Sequence, residues 1–205
     1  VCIFLHGLGD TGHGWADVAS SMPFEGVKWI FPTAPTIPIT LNGGMRMTGW
    51  YDINDLSIDN IKDDRAQTLA STEYVQGLIK AEIDGGVAAD RIVVGGFSQG
   101  GVIALQTALR FPERLAGAVG MSTYLALRED FPDAMSPHAK DLPVFLAHGT
   151  ADMVLQYQYG VMSSELMTDT LGMTKVDFQT YQGMGHSACQ EELQQLAKFI
   201  ANVLN

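Results

Sequence analysis

Ser98 is the residue whose surroundings most resemble a built reaction centre. It lies in Gly96-Phe97-Ser98-Gln99-Gly100, between the apolar run Ile92-Val93-Val94 and a helical pattern that opens at Gln99. The five-residue string G-x-S-x-G is common by chance. A strand entering it and a helix leaving it are not. That corner forces the serine into a strained backbone conformation, tolerable only where the neighbours carry no side chain. Gly95, Gly96, Gly100 and Gly101 bracket Ser98 in that way. The corner also aims the N-terminus of the helix at the place where an attacked carbonyl becomes an oxyanion. A glycine-rich phosphate loop would call for a lysine after the glycines, and none follows. The chemistry expected is nucleophilic acyl transfer.

A serine nucleophile needs a base, and the base needs an acid to hold its tautomer. In hydrolases built on this corner the chain order is Ser, acid, His. His6 and His13 precede Ser98, His138 sits in a polar Pro-containing stretch, and His148 closes a strand-like run and is followed by Gly149. His186 remains, in Gly183-Met184-Gly185-His186-Ser187, on a glycine-rich loop between the last strand and the last helix. Asp152 is the first carboxylate beyond the run Leu142–Ala147, whereas Asp141 precedes that run and Asp169 falls in a helical pattern. Two N–H donors are needed for the oxyanion. One is the amide of Gln99. The other is expected from the early loop Leu5-His6-Gly7-Leu8-Gly9-Asp10, at Leu8, with His6 structural.

These residues must be positioned by a scaffold. Strand-like runs cover Val1–Leu5, Val27–Phe31, Arg91–Val94, Leu115–Val119, Val144–Ala147 and Val176–Tyr181. They are continuously apolar more often than alternating, which suits parallel strands buried on both faces. Helical patterns fall at Ile61–Ile83, Gln99–Arg110, Tyr157–Leu171 and Ala188–Leu204, the last with Ser187 and Gln190 as its capping box. Alternating strands and helices predict a doubly wound α/β fold, and with Ser98 at its corner an α/β-hydrolase fold: a mostly parallel sheet with helices on both faces. With 205 residues, no linker and no repeat, one domain spanning 1–205 is expected. Because the chain opens directly on a strand, N-terminal strands before Val1 are expected.

Thr33–Asp59 fits neither pattern and reads as a covering loop. Its Ile37, Ile39, Leu41 and Trp50, with Leu125 after one strand and Met153, Val154 and Leu155 beyond the acid, are the residues expected to line an apolar trough for an acyl chain.

Charge excludes some partners. Twelve Lys and Arg against 23 Asp and Glu give a net charge of −11, which leaves no basic face for nucleic acid and disfavours anionic lipid surfaces. Any membrane contact is expected to be transient and to come from residues outside this chain. Cys2 and Cys189 form no metal or redox motif. The expectation is a reduced, cytoplasmic protein that needs no metal and no cofactor.

Three segments together carry a family resemblance: His6-Gly7-Leu8-Gly9-Asp10-Thr11-Gly12-His13-Gly14-Trp15, Gly95–Gly101 and Gly183–Ser187. With Phe31-Pro32-Thr33-Ala34-Pro35 and Trp50-Tyr51-Asp52, they resemble the acyl-protein thioesterase, lysophospholipase and carboxylesterase family over nearly the whole chain. The resemblance implies a cofactor-independent cytosolic enzyme acting on acylated proteins, lysophospholipids or small esters. It carries the triad onto Ser98, Asp152 and His186 and the oxyanion donors onto Leu8 and Gln99. Gln156 and Ala126 stand where proline is common in that family. A broad carboxylesterase and a non-catalytic hydrolase-fold receptor are the rival readings; dienelactone or haloalkane cleavage would want Cys or Asp at position 98.

Overall fold

The computed structural model describes residues 1–20, 26–57 and 64–205. Among the described residues six strands form one parallel sheet: β1 (Cys2–Leu5), β2 (Trp29–Ile30), β5 (Val93–Phe97), β6 (Gly117–Met121), β7 (Val144–Gly149) and β8 (Val176–Tyr181), in the order β2-β1-β5-β6-β7-β8. Every pairing in it is parallel. All carboxyl ends therefore open on one edge, where ligands of open α/β sheets gather.

The four inner strands β1, β5, β6 and β7 are buried on both sides, while the edge strands β2 and β8 are partly exposed, and alternate residues feed two cores. Ile3, Leu5, Val94, Val144 and Leu146 pack on one face with α2 (Arg65–Asp84), α3 (Gln99–Arg110) and α4 (Tyr157–Glu165). Cys2, Phe4, Val93, Phe145 and Ala147 pack on the other with α1 (Gly12–Ser20) and α5 (Gln190–Leu204). This two-faced burial is why the runs read as uninterrupted apolar stretches. The sandwiched helix α3 is buried at every residue from Gln99 to Leu109.

The structure departs from the sequence reading in four places. Within the expected structureless segment, β3 (Thr36–Ile39) and β4 (Met45–Thr48) form an antiparallel hairpin, turned by Gly43 and Gly44, both at positive φ. Helix α1 was not anticipated. The helix at α5 starts at Gln190 and is capped by Cys189, whose sulfur accepts from the Glu192 N–H, not by Ser187 and Gln190. After α4 the chain widens into a π-helical turn, Leu166–Thr170, so one helix expected to reach Leu171 is two segments. The helix expected from Ile61 is seen from Arg65, capped by the Asp64 carboxylate; residues 61–63 and the end of the covering loop at 58–59 lie outside the described residues.

Glu192 is fully buried in the first turn of α5. Burial pushes its carboxyl up to about 8 from an ordinary 4.5, opposed only by the Cys189 N–H. Between those two pH values the folded chain keeps a proton that the unfolded chain releases, so stability falls as pH rises from about 4.5 to about 8. Glu192→Gln removes that penalty. Thermal melts should show it stabilised by about 3 kcal/mol at neutral pH, with the gain vanishing in melts run below the ordinary carboxylate pKa. An advantage independent of pH would mean that the proton is not the cause.

Candidate active site

Each reacting side chain sits just past the carboxyl end of a strand. Ser98 follows β5 with φ 52° and ψ −121°. This is a conformation that L side chains rarely adopt and that costs about 1–3 kcal/mol unless its surroundings enforce it. Enforcement comes from close packing: a Cβ on Gly96 would lie 2.4 Å from the Gly100 carbonyl carbon, and one on Gly100 would lie 2.3 Å from the Leu5 carbonyl oxygen. The Ser98 N–H donates to the Met121 carbonyl (2.8 Å), and its own carbonyl accepts from the Thr123 hydroxyl (2.8 Å).

Asp152 follows β7 and His186 follows β8, and the two loops are tied to each other. The Thr150 N–H donates to the Tyr181 carbonyl (3.0 Å), the Ala151 N–H to the Met184 carbonyl (3.0 Å) and the Gly183 N–H to the Thr150 hydroxyl (2.9 Å). Asp152 is 4% exposed. One carboxylate oxygen accepts from the Val154 and Leu155 N–H groups (2.9 and 2.8 Å); the other accepts from His186 Nδ1 (2.7 Å). Burial opposes its charge, but hydrogen bonds from His148, His186 and the Leu155 N–H hold its pKa well below the carboxylate range. An ionised Asp152 fixes the proton of His186 on Nδ1. Nε2 is then free to accept from the Ser98 hydroxyl, 2.9 Å away. Ser98, His186 and Asp152 thus form one continuous hydrogen-bonded line.

A cavity of about 240 Å³ opens beside Ser98, lined by Gly7, Leu8, Asp10, Tyr51, Ile53, Leu56, Phe97, Ser98, Gln99, Tyr124, Val154, Leu155 and His186. Leu8 and Gln99, the expected oxyanion donors, both face it. Of the residues expected to line the acyl trough, only Val154 and Leu155 do. Ile37 and Ile39 belong to the hairpin, with Ile39 fully buried, and Leu41 is exposed next to the hairpin turn. Trp50 is buried with its indole N–H spent on the His6 carbonyl (2.9 Å). Leu125 faces a neighbouring groove beside Tyr159 and Met162, and Met153 is 91% exposed. The apolar wall comes instead from Tyr51, Ile53, Leu56 and Tyr124. Tyr51 stood in a segment that carries the family resemblance; the others were signalled only by position, just after Trp50 or just past the end of β6. Among the described residues no three His, Cys, Asp or Glu side chains are grouped to hold a metal ion.

Residues 1–204 match the family model described as phospholipase/carboxylesterase. The chain belongs to the phospholipase/carboxylesterase family. Within that family it is 46% identical to acyl-protein thioesterase 1 of Neurospora crassa, over 98% of this chain and 86% of that protein. It is 43% identical to acyl-protein thioesterase 1 of Cryptococcus neoformans, over 98% of this chain and 91% of that protein. Among solved structures, acyl-protein thioesterase 2 of Zea mays superposes with a TM-score of 0.90 at 33% identity, covering 100% of this chain and 93% of the other. The α/β-hydrolase fold of this phospholipase/carboxylesterase family member follows from both.

Because Ser98 and His186 share one proton, their losses should not multiply. Ser98→Ala, His186→Ala and the double variant are expected to retain nearly the same residual rate, each about 10⁴–10⁶-fold below the parent in kcat. Asp152→Asn is expected to cost about 10⁴-fold at most. Steady-state kinetics on an activated ester measures all four; a double variant slower by the product of both single losses would detach His186 from the proton transfer.

Proposed function

We propose that this chain is an acyl-protein thioesterase that works through a Ser98 acyl-enzyme. The observation that carries the reading is the Ser98–His186–Asp152 line opening on an apolar cavity, in a chain close to half identical to relatives named for that activity. His186 Nε2 takes the Ser98 proton as Oγ attacks the thioester carbonyl. The oxyanion is met by the N–H groups of Leu8 and Gln99. As the tetrahedral species collapses, His186 returns the proton to the departing cysteine sulfur. Water, deprotonated by the same imidazole, then releases the fatty acid from Ser98. Every proton the cycle moves passes through His186, so the scheme uses no cofactor.

A second reading, a carboxylesterase for short esters, gains support from the size of the cavity. Its 240 Å³ is below the roughly 300–1,000 Å³ common for ligand pockets. Both readings put the enzyme in the cytoplasm, in keeping with two free cysteines. Any membrane contact was expected from residues outside this chain; the exposed Met45, Met153 and Val154 side chains support a transient one within it.

The deciding measurement compares kcat/KM for an S-palmitoyl peptide with that for p-nitrophenyl esters of increasing chain length. Rising efficiency toward the long thioester is expected; a peak at acetate or butyrate would favour the second reading. Leu56→Trp tests the wall. Displacing two methylenes of contact at about 0.8 kcal/mol each should lower long-chain efficiency about 15-fold relative to acetate. An unchanged ratio would move the acyl chain off this wall.

A further inference from the structure

We propose that Trp50 is a positioning residue: together with the Gln99 side chain it locks the two oxyanion donors, Leu8 and Gln99, into one rigid frame. The proposal rests on reading Ser98 as an acyl-transfer nucleophile.

The two donors come from different loops, Leu8 from the turn after β1 and Gln99 from the start of α3. The segment Thr48–Tyr51 bonds to both. On the Leu8 side, the Gly9 N–H donates to the Thr48 carbonyl (2.8 Å), the Thr48 hydroxyl to the Asp10 carbonyl (2.5 Å) and the Trp50 indole N–H to the His6 carbonyl (2.9 Å). On the other side, the Gln99 side chain accepts from the Trp50 N–H (2.8 Å) and donates to the Tyr51 carbonyl (2.6 Å). Gly49 is wedged between the donors: a Cβ there would meet the Leu8 side chain at 3.0 Å and the Gln99 amide oxygen at 3.5 Å.

The indole acts on the donor through the backbone. His6 Nε2 accepts from the Ala34 N–H (2.9 Å), so its proton lies on Nδ1, which donates to the Gly7 carbonyl (2.7 Å). The Gly7 carbonyl and the Leu8 N–H belong to one planar trans peptide and point in opposite directions. Holding that carbonyl aims the Leu8 N–H. The Trp50 bond to the preceding carbonyl fixes where His6, and hence the whole peptide, sits. Trp50 is 2% exposed and does not line the cavity, so it touches no substrate.

The test uses Trp50→Phe, which keeps an aromatic ring and loses the N–H. Removing an oxyanion donor outright costs about 10²–10³-fold, and a misaimed donor less, about 10–100-fold. For a short p-nitrophenyl ester, kcat is expected to fall by about that factor with KM within about twofold. A trifluoromethyl ketone, whose carbonyl adds the Ser98 oxygen to give a bound oxyanion, should weaken by the same factor. Gln99→Met keeps its own backbone N–H but loses both side-chain bonds; it should show the same pattern, with the double variant no worse than either single. If Trp50→Phe does not fold, Gln99→Met carries the same readouts. Unchanged kcat per folded molecule, or a lower kcat with undiminished ketone affinity, would overturn the frame. Failure of the wild-type protein to add the ketone at Ser98 would instead overturn the nucleophile reading.

Discussion

An ionised carboxylate kept out of water is the interaction on which the rest of this site depends. Asp152 is buried, and its charge is stable there because two backbone N–H groups, the His186 ring and the His148 ring donate to it. Those donors are not independent of the fold. Val154 and Leu155 bring their amides by turning back over the acid, and the same two residues form part of the cavity wall. The histidine arrives because its loop is stitched to the acid's loop by three hydrogen bonds. Satisfying one charge therefore fixes a base, a proton position and a patch of substrate surface at once.

A second histidine stands behind that carboxylate. His148 is fully buried, its Nε2 lies 2.9 Å from the Leu155 carbonyl and 3.4 Å from Asp152, and Gly160 of α4 leaves room for it: a Cβ there would fall 2.7 Å from the ring. Both imidazoles therefore meet the same carboxylate oxygen, Oδ2, while Oδ1 is held by the Val154 and Leu155 N–H groups. Such layering of fixed donors around a buried charge costs little reorganisation when the neighbouring imidazole becomes charged during turnover.

What was legible in the sequence is what local chemistry dictates. The glycines around Ser98 announce a corner that excludes side chains, and the doubly buried strands announce themselves by unbroken apolar runs. The order of Ser, acid and His then singles out Asp152 and His186, which the structure brings into hydrogen-bonding range. The hairpin β3–β4 was not legible, because Pro38 interrupts the strand pattern and Gly43-Gly44 reads as irregular chain. Helix α1 hid behind Gly12, His13 and Gly14, poor helix formers whose helix is held by packing Trp15 on the sheet. The cavity wall was misjudged for a different reason. Apolar character in Ile37, Ile39 and Trp50 was real, but burial used it for the fold, and only the tertiary arrangement turns Tyr51, Ile53 and Tyr124 toward the nucleophile.

Helix α3 carries Ser98 at its tip and is enclosed along nearly its whole length. A fully enclosed helix is the stiffest mounting a small protein can provide, since displacing it means disturbing packing on every side. The nucleophile and one oxyanion donor therefore share the stiffness of the core, whereas the exposed Met153 and Val154 side chains share almost none of it. Mechanically the molecule is an anvil with a soft rim. Adaptation to acyl groups of different shape must be taken up at the rim, while the geometry of bond making stays the same for all of them.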